Sequence, residues 1–198
     1  MMNDCWPAAS GWSIIDYYNN PKNAFYSFKR CAKPLLASID CENGIYRVYV
    51  INEGERRELE LSVRALSSDR RTVREIVKKR LIVEKDACDI VYETSGALDN
   101  GEILICNVVC ENASDRAFYA HGALNIRPVE TNVKVDRERG LITVSAKEEY
   151  VHAVVVSGNV VLDDNCFSLL PGESRTVAYR LSQTDLPDEI FVEAYTVK

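Results

Sequence analysis

Metal ligands and paired cysteines are scarce in this sequence. Its 198 residues include 2 histidines, His121 and His152, which lie far apart along the chain. The 7 cysteines form no Cys-x-x-Cys pair, and their number is odd. Zinc sites need ligands at short, fixed spacings, and the disulfide frameworks of secreted proteins need paired cysteines. We therefore expect no metal site and no cofactor, and the unpaired thiols favour a reducing, cytoplasmic location.

Long apolar runs and clusters of one charge are also missing. No stretch approaches the ~20 apolar residues that a membrane-spanning helix needs. The formal net charge is -6, from 30 acidic and 24 basic residues, and the two signs alternate along the chain. The densest basic stretch, residues 70–80, is interleaved with Val and Ile, which is typical of the charged edge of a sheet. These patterns predict no membrane partner and no nucleic-acid partner.

Glycine and proline are few, 9 and 6 residues respectively, whereas 46% of the residues are apolar. This composition predicts an ordered globular chain. Helical spacing of apolar residues occurs only between about Lys22 and Ala32, where Phe25 and Phe28 recur on one face. Pro34 ends the pattern because proline cannot continue the hydrogen-bond ladder of a helix.

In the rest of the chain, apolar residues alternate with polar ones as they do in β-strands. Glu58–Ala65 is the clearest case, because it places Leu59, Leu61, Val63 and Ala65 on one face. Short strands at this spacing predict an all-β chain of sandwiches. A hairpin turn is predicted at residues 137–140, between the strands Asn132–Asp136 and Leu141–Lys147. The other predicted strands are Ile45–Ile51, Val73–Val83, Cys88–Tyr92, Glu102–Cys110, Arg116–Ile126, Val151–Val156, Asn159–Leu162, Ser174–Leu181 and Glu189–Val197.

The first thirty residues resemble the end of a larger domain. The run Asn3-Asp4-Cys5-Trp6-Pro7 is followed by an aromatic segment, residues 12–22, and by the helical stretch Asn23–Arg30. This order is similar to the last strand and last helix of the catalytic barrel in β-mannosidase-type enzymes of glycoside hydrolase family 2. In that family an Asn-Asp-x-Trp-Pro segment closes the barrel.

Two further landmarks extend the resemblance along the chain. Lys33–Ile39 is similar to the start of the first C-terminal immunoglobulin-like domain of these enzymes. Asp164–Glu173 is similar to the Asp-Asn-x-Phe-x-Leu-Leu-Pro-Gly-Glu segment of their last domain. The resemblance thus implies two immunoglobulin-like β-sandwiches in tandem, residues 34–126 and 127–198, preceded at residues 1–33 by a strand and helix remnant of a TIM barrel.

The resemblance also implies where catalysis occurs in such enzymes. Their two catalytic glutamates lie on earlier barrel strands, and retaining hydrolysis needs the pair about 5 Å apart. We therefore expect no catalytic residue in this chain, and Asp4 and Asp16 do not make a catalytic pair. Trp6 matches the tryptophan that lines the sugar subsite of the complete enzyme, where an indole ring faces the apolar surface of a pyranose. The alternative is that Trp6 only packs the barrel rim.

These points favour a non-catalytic C-terminal accessory region of a β-mannosidase-like retaining glycoside hydrolase, which acts on terminal β-linked sugars. Its sandwiches would brace the catalytic barrel that is its missing partner. One alternative is the tail of a β-galactosidase or β-glucuronidase, and another is a free-standing adhesion domain. A third is a carbohydrate-binding module with a row of exposed aromatic residues, for which the candidates are Tyr46, Tyr49, Tyr92, Phe118 and Tyr119.

The apolar side chains of the N-terminal segment predict a second kind of partner. Without a barrel around them, these side chains would fold back onto the first sandwich, stay disordered, or pair with another copy. We favour self-association, which makes a homodimer through this segment a further expectation. The side chains concerned are Trp6, Trp12, Ile14, Ile15, Tyr17, Tyr18, Phe25 and Phe28.

Overall fold

The computed structural model of the chain describes residues 3–4, 11–96, 98–99, 101–120, 125–182 and 189–197. Within these ranges there are one α-helix and fifteen β-strands, so the predicted all-β class is confirmed. The chain divides into two compact units. We call Lys33–Leu124 the central unit, and Met1–Ala32 together with Asn125–Lys198 the composite unit.

The central unit is a sandwich of two antiparallel sheets. Its strand orders are β1-β2-β5 and β4-β3-β6-β7. The strands are β1 (Leu35–Glu42), β2 (Ile45–Asn52), β3 (Arg57–Leu66), β4 (Val73–Val83), β5 (Ala87–Ser95), β6 (Ile103–Cys110) and β7 (Ala113–Ala120).

Alternation along β3 builds the core of the central unit. Leu61 and Val63 are fully buried and pair with Val108 and Cys106 of β6, which are equally buried. Because directly paired residues lie on the same face of a sheet, the two strands present one continuous apolar surface. All four residues that the sequence placed on the buried face of this strand are in the core.

The composite unit is a second sandwich that includes the N-terminal helix. Its strand orders are β12-β14-β10-β9 and β13-β11-β15-β8. The elements are α1 (Asn23–Cys31), β8 (Ile126–Pro128), β9 (Thr131–Asp136), β10 (Leu141–Ala146), β11 (Val151–Gly158), β12 (Val160–Leu162), β13 (Phe167–Leu169), β14 (Ser174–Leu181) and β15 (Ile190–Val197). The division into three domains remains a prediction, and the structure adds that α1 packs with the C-terminal sandwich.

The predicted hairpin turn between β9 and β10 is present, and it depends on Gly140. This residue has φ +63, and a Cβ atom there would lie 2.7 Å from the carbonyl oxygen of Tyr179. Tyr179 in turn donates its backbone N–H to the Gly140 oxygen at 2.8 Å. Glycine is therefore required by the backbone angle and also by the close approach of β14.

Four strands differ from the sequence prediction, and the first of them, β1, was given no bounds. β7 begins at Ala113 and ends at Ala120, whereas a strand was predicted over Arg116–Ile126. The reason is a two-residue turn, since Cys110 pairs with Ala113 and β7 begins at once. β8 and β13, which were not predicted, have three residues each, and that is too short for a period-two pattern to stand out.

Candidate functional site

Trp6, the predicted sugar-subsite residue, lies outside the described residues, as do Cys5 and His121. Its proposed role therefore stays a prediction. The structure does describe Asn3 and Asp4 on one side of it and the chain from Gly11 onward on the other. These residues and α1 form the N-terminal segment, which is the candidate contact site.

Asp4 is the centre of a small polar cluster that joins distant parts of the N-terminal segment. Its carboxylate accepts a hydrogen bond from the Ser13 hydroxyl and forms an ion pair with Lys22 at 2.5 Å. Its backbone N–H donates to the Ile15 oxygen at 3.0 Å. The hydrogen bonds from Lys22 and then from Ser13 hold the pKa of Asp4 below its ordinary value. Asp4 is therefore a structural carboxylate that remains ionised.

Gly11 completes this cluster by its lack of a side chain. A Cβ atom at Gly11 would lie 1.8 Å from Oδ1 of Asp4, which Ser13 holds in place. Lys22 also donates to the Gly11 carbonyl at 3.4 Å. The two residues that flank residues 5–10 are thus fixed close together.

Asp16 has a structural role of its own. Its Oδ1 atom accepts the backbone N–H of Asn20 at 2.7 Å, and Oδ2 accepts from the Asn20 side chain at 3.3 Å. Asn19, between them, adopts φ 65, the left-handed conformation that asparagine tolerates in turns. Asp4 and Asp16 therefore serve separate local structures.

One face of α1 belongs to the core of the composite unit. Tyr26 is 2% exposed and packs among buried residues of the C-terminal sandwich, with Phe25 beside it. Its hydroxyl donates to the Leu162 oxygen at 3.5 Å and accepts from the Leu162 N–H at 3.3 Å. Burial raises the pKa of Tyr26, so the hydroxyl stays protonated and can make both bonds. The sequence pattern had pointed to Phe25 and Phe28 as the helix face, but Phe28 is 58% exposed.

Arg30 anchors the end of α1 to the loop before β13. Its guanidinium donates to Asp164 Oδ1 at 2.8 Å, to the Asn165 oxygen at 2.7 Å and to the Cys166 oxygen at 3.2 Å. Lys29 adds a bond to the Asp163 oxygen at 2.7 Å. Two cations in the last helical turn also suit the negative end of the helix dipole.

The loop that receives Arg30 is the Asp-Asn-x-Phe landmark of the sequence. Asn165 is 2% exposed. Its Oδ1 atom accepts the Val156 backbone N–H, and its Nδ2 atom donates to the Val156 oxygen, both at 2.8 Å. Asp164 also pairs with Arg175 at 2.5 Å, and the Arg175 guanidinium lies 4.8 Å from the centre of the Phe167 ring. Two landmarks from opposite ends of the chain thus form one contact, which sequence reasoning did not reveal.

Four aromatic side chains of the N-terminal segment are exposed. Trp12 is fully exposed, and Tyr17 and Tyr18 are about half exposed while their rings stack edge-to-face at 5.3 Å. Phe28 on α1 is also more than half exposed. We call Trp12, Tyr17, Tyr18 and Phe28 the aromatic face. Large aromatic side chains gain most from burial in an interface, so the aromatic face is the strongest candidate contact surface in the composite unit.

The aromatic row considered for glycan binding does not form in the central unit. Tyr46 is buried and packs edge-to-face with Tyr119 at 5.7 Å. Tyr92 packs against the same core from β5, and Tyr49 is half-buried. Phe118 alone among the five is exposed. A flat, exposed platform of the kind that binds a sugar chain is therefore not assembled from these residues.

The described residues contain no group of three or more His, Cys, Asp or Glu side chains that could hold a metal ion. In the same part of the chain, no helix has the length and apolar character needed to cross a membrane. The described cysteines are free, and Cys31 and Cys88 are exposed. Burial raises the pKa of the Cys106 thiol to about 12, so this thiol is an inert core group.

Residues 124–198 match the family model Ig_mannosidase, an Ig-fold domain. A β-mannosidase B of Emericella nidulans is 28% identical over 215 residues, which cover 94% of this chain and 25% of that protein. A β-mannosidase B of Aspergillus fumigatus is 30% identical over 123 residues, which cover 60% of this chain and 14% of that protein. The chain thus spans about a quarter of the length of the curated relatives that match it from end to end.

Solved structures share the fold. The β-D-mannosidase of Dictyoglomus thermophilum superposes with a TM-score of 0.70 at 20% identity, over 97% of this chain and 25% of that one. The exo-chitosanase CsxA of Amycolatopsis orientalis superposes with a TM-score of 0.60 at 16% identity, over 100% of this chain and 30% of that one. Together these matches confirm the resemblance that the three sequence landmarks predicted.

Proposed function

Since the chain resembles, from end to end, the C-terminal immunoglobulin-like region of β-mannosidase-like enzymes of glycoside hydrolase family 2, we propose that it is the accessory region of such a hydrolase. In this role it catalyses nothing itself. It braces the catalytic barrel of a retaining enzyme that removes terminal β-linked sugars. The relatives named β-mannosidase B make β-mannosides the first substrates to test.

The two-sided N-terminal segment is the observation that carries this proposal. Its inner face is tied to the C-terminal sandwich by Tyr26 and Arg30. Its outer face leaves Trp12 and Phe28 in solvent, although these side chains gain most from burial. A segment that is rigidly held on one side and apolar on the other is suited to joining a sandwich to a second body. In the proposed enzyme that body is the catalytic barrel.

A chimera tests the bracing role. This chain would replace the matching quarter of the Emericella nidulans β-mannosidase B, and hydrolysis of nitrophenyl β-mannoside and the melting temperature would be measured. Replacing Tyr18 and Phe28 by lysine should lower both quantities because the aromatic face then cannot be buried. The matched control replaces Ile90 and Leu181, which are exposed apolar residues on the two sandwiches, by lysine. Equal behaviour of the two double variants would refute the bracing role.

The isolated chain should not hydrolyse nitrophenyl β-mannoside, β-galactoside or β-glucuronide. Its two described carboxylates near the barrel-like motif, Asp4 and Asp16, are both engaged in structural hydrogen bonds. Retaining hydrolysis requires a pair of carboxyl groups about 5 Å apart across the scissile bond. Turnover that follows the protein through further purification would show that the chain is an enzyme in its own right.

Two further proposals follow from the same surfaces. In the isolated chain, the aromatic face pairs with that of a second copy and so forms the homodimer expected from the sequence. The free thiols, with Cys31 and Cys88 exposed, support a cytoplasmic location. Sedimentation of Phe28→Lys beside the unaltered chain tests the first point, and weaker association in the variant is the expected result.

A further inference from the structure

Exposed strand edges can pair with other chains. Most of the described edge strands have charged residues, side-chain contacts to the edge backbone, or short lengths that hinder such pairing. In the central unit, β4 carries Lys78, Lys79 and Arg80. Lys79 also donates to the Val91 oxygen at 2.8 Å and so covers the edge of β5. On β1, the N–H of Ala37 is taken up by the Asp115 carboxylate at 3.0 Å.

In the composite unit, three of the four edge strands are too short to pair with another chain. β8, β12 and β13 have three residues each. β9 differs because it has six residues, and its pairing with β10 runs without a bulge from Thr131 to Asp136. Proline is also absent from β9. Among the described strands of the composite unit, β9 therefore presents the longest open edge, where alternate backbone N–H and C=O groups point away from β10 and the charged residues are Lys134 and Asp136.

Two valines of β9 lie on the core face of the sheet but remain partly exposed. Val133 and Val135 pair with Val144 and Ile142, which are fully buried, so all four side chains lie on the core face of the sheet. Val133 is nevertheless 44% exposed and Val135 37% exposed. An additional strand beside β9 would cover both valines and satisfy the outward backbone groups.

We propose that β9 is a self-association site, at which the strand pairs antiparallel with β9 of a second copy about a two-fold axis through Val135. The charges of the strand select both the partner and the register. With the axis at Val135, Lys134 of each copy lies opposite Asp136 of the other, and the two ion pairs lie on the solvent face. An axis at Lys134 would place two lysines opposite each other, and an axis at Val133 would place Asp136 opposite Glu130.

The neighbouring residues are compatible with this register. Oδ1 of Asp136 already accepts the backbone N–H of Arg139 at 3.0 Å, whereas Oδ2 has only a distant ion pair with Arg139 at 3.9 Å. Arg137 of one copy falls opposite Val133 of the other, where its aliphatic stem can cover the valine. A single strand pair buries far less than the ~1,200 Å² of a stable complex, so the dimer is weak.

Sedimentation velocity across a concentration series up to roughly 1 mM tests the site, with Phe28→Lys as the common background so that the aromatic face does not contribute. Val135→Lys, which puts two like charges on the axis, should weaken association about tenfold or more. Leu181→Lys is the matched control, since Leu181 is 44% exposed on the same sandwich, and it should associate as the unaltered chain does. Exchange of the β9 amides with solvent should slow as the concentration rises.

A charge-swap pair tests the register. Lys134→Glu alone places glutamate opposite aspartate, and Asp136→Lys alone places lysine opposite lysine, so neither variant should associate. An equal mixture restores both ion pairs and should associate like the unaltered chain. Circular dichroism shows that each variant is folded. A Phe28→Lys chain that stays monomeric at the highest concentration overturns the proposal, as does association in that background that Val135→Lys leaves unchanged.

Discussion

The central unit and the composite unit are both two-sheet sandwiches, but they collect their core residues over different lengths of chain. The central unit uses one continuous stretch, Lys33–Leu124. The composite unit adds Tyr26 to a sandwich that begins about a hundred residues later, and the Arg30 to Asp164 contact spans 134 positions. Residues 33–124 are therefore inserted in sequence between two parts of one compact unit.

The two units also differ in what determines which of their surfaces pack together. In the central unit, period-two alternation alone brings the apolar faces together. In the composite unit, a polar anchor selects where α1 docks, because the guanidinium of Arg30 needs acceptors at fixed positions. Loop closure over a long chain costs entropy before any contact forms. We therefore expect the central unit to fold without its neighbour, and the composite unit to depend on its anchor.

The largest expected effect comes from Tyr26→Ala, which removes a buried ring and both hydrogen bonds to Leu162. The composite unit should lose about 4 kcal/mol of unfolding free energy because a cavity remains in its core. Thiol labelling in urea, resolved by peptide mass mapping, measures the unfolding of each unit separately. Cys166 reports on the composite unit and Cys106 on the central unit. Only Cys166 should react at lower urea. Tyr18→Ala, an exposed control, should change either midpoint by less than about 0.5 kcal/mol.

Leu61→Ala is the corresponding truncation of a core residue in the central unit. Leu61 is fully buried in β3, so its truncation should cost about 3 kcal/mol. In this variant the labelling of Cys106 should shift while that of Cys166 stays in place. If both cysteines shift together in either variant, the two units unfold as one and the comparison fails.

Arg30→Met removes the polar anchor but keeps much of the side-chain stem. The loss of hydrogen bonds to Asp164, Asn165 and Cys166 should lower the stability of the composite unit by about 2 kcal/mol. Arg139→Met is the control, because its ion pair with Asp136 is long and exposed, and it should cost less than about 0.5 kcal/mol. Melting followed by Cys166 labelling distinguishes the two variants. Equal losses of stability in the two variants would mean that Arg30 stabilises the composite unit no more than an exposed surface arginine does.

The smallest expected effect is the acid sensitivity of the Asp4 cluster. Lys22 and Ser13 lower the pKa of Asp4 in the folded chain, so the cluster stabilises the fold above the ordinary value of 3.8. This stabilisation is lost as the pH falls below 3.8 through the lowered pKa. Lys22→Met should raise the pKa of Asp4 toward 3.8, which carbon NMR titration of the carboxyl group measures. An unchanged titration would show that Lys22 does not hold this carboxylate.

Much of the central unit could be predicted from its sequence because its strands alternate clearly. The buried face of β3 was predicted residue by residue, and the hairpin at Gly140 in the composite unit was predicted from its turn signal. The docking of α1 was not predictable in the same way. Both faces of this helix carry aromatic residues, so helical spacing alone did not distinguish buried Tyr26 from exposed Phe28.

By itself the sequence determined the all-β class, the strand alternation, the family resemblance and the landmark motifs, because each depends on residues close together in the chain. Tertiary structure alone decided that the first landmark segment packs with the last one through Tyr26 and Arg30. It also decided that β9 is the longest edge strand among the described strands of its sandwich. Both results depend on which surfaces meet after folding, and local periodicity contains no information about pairing over more than a hundred residues.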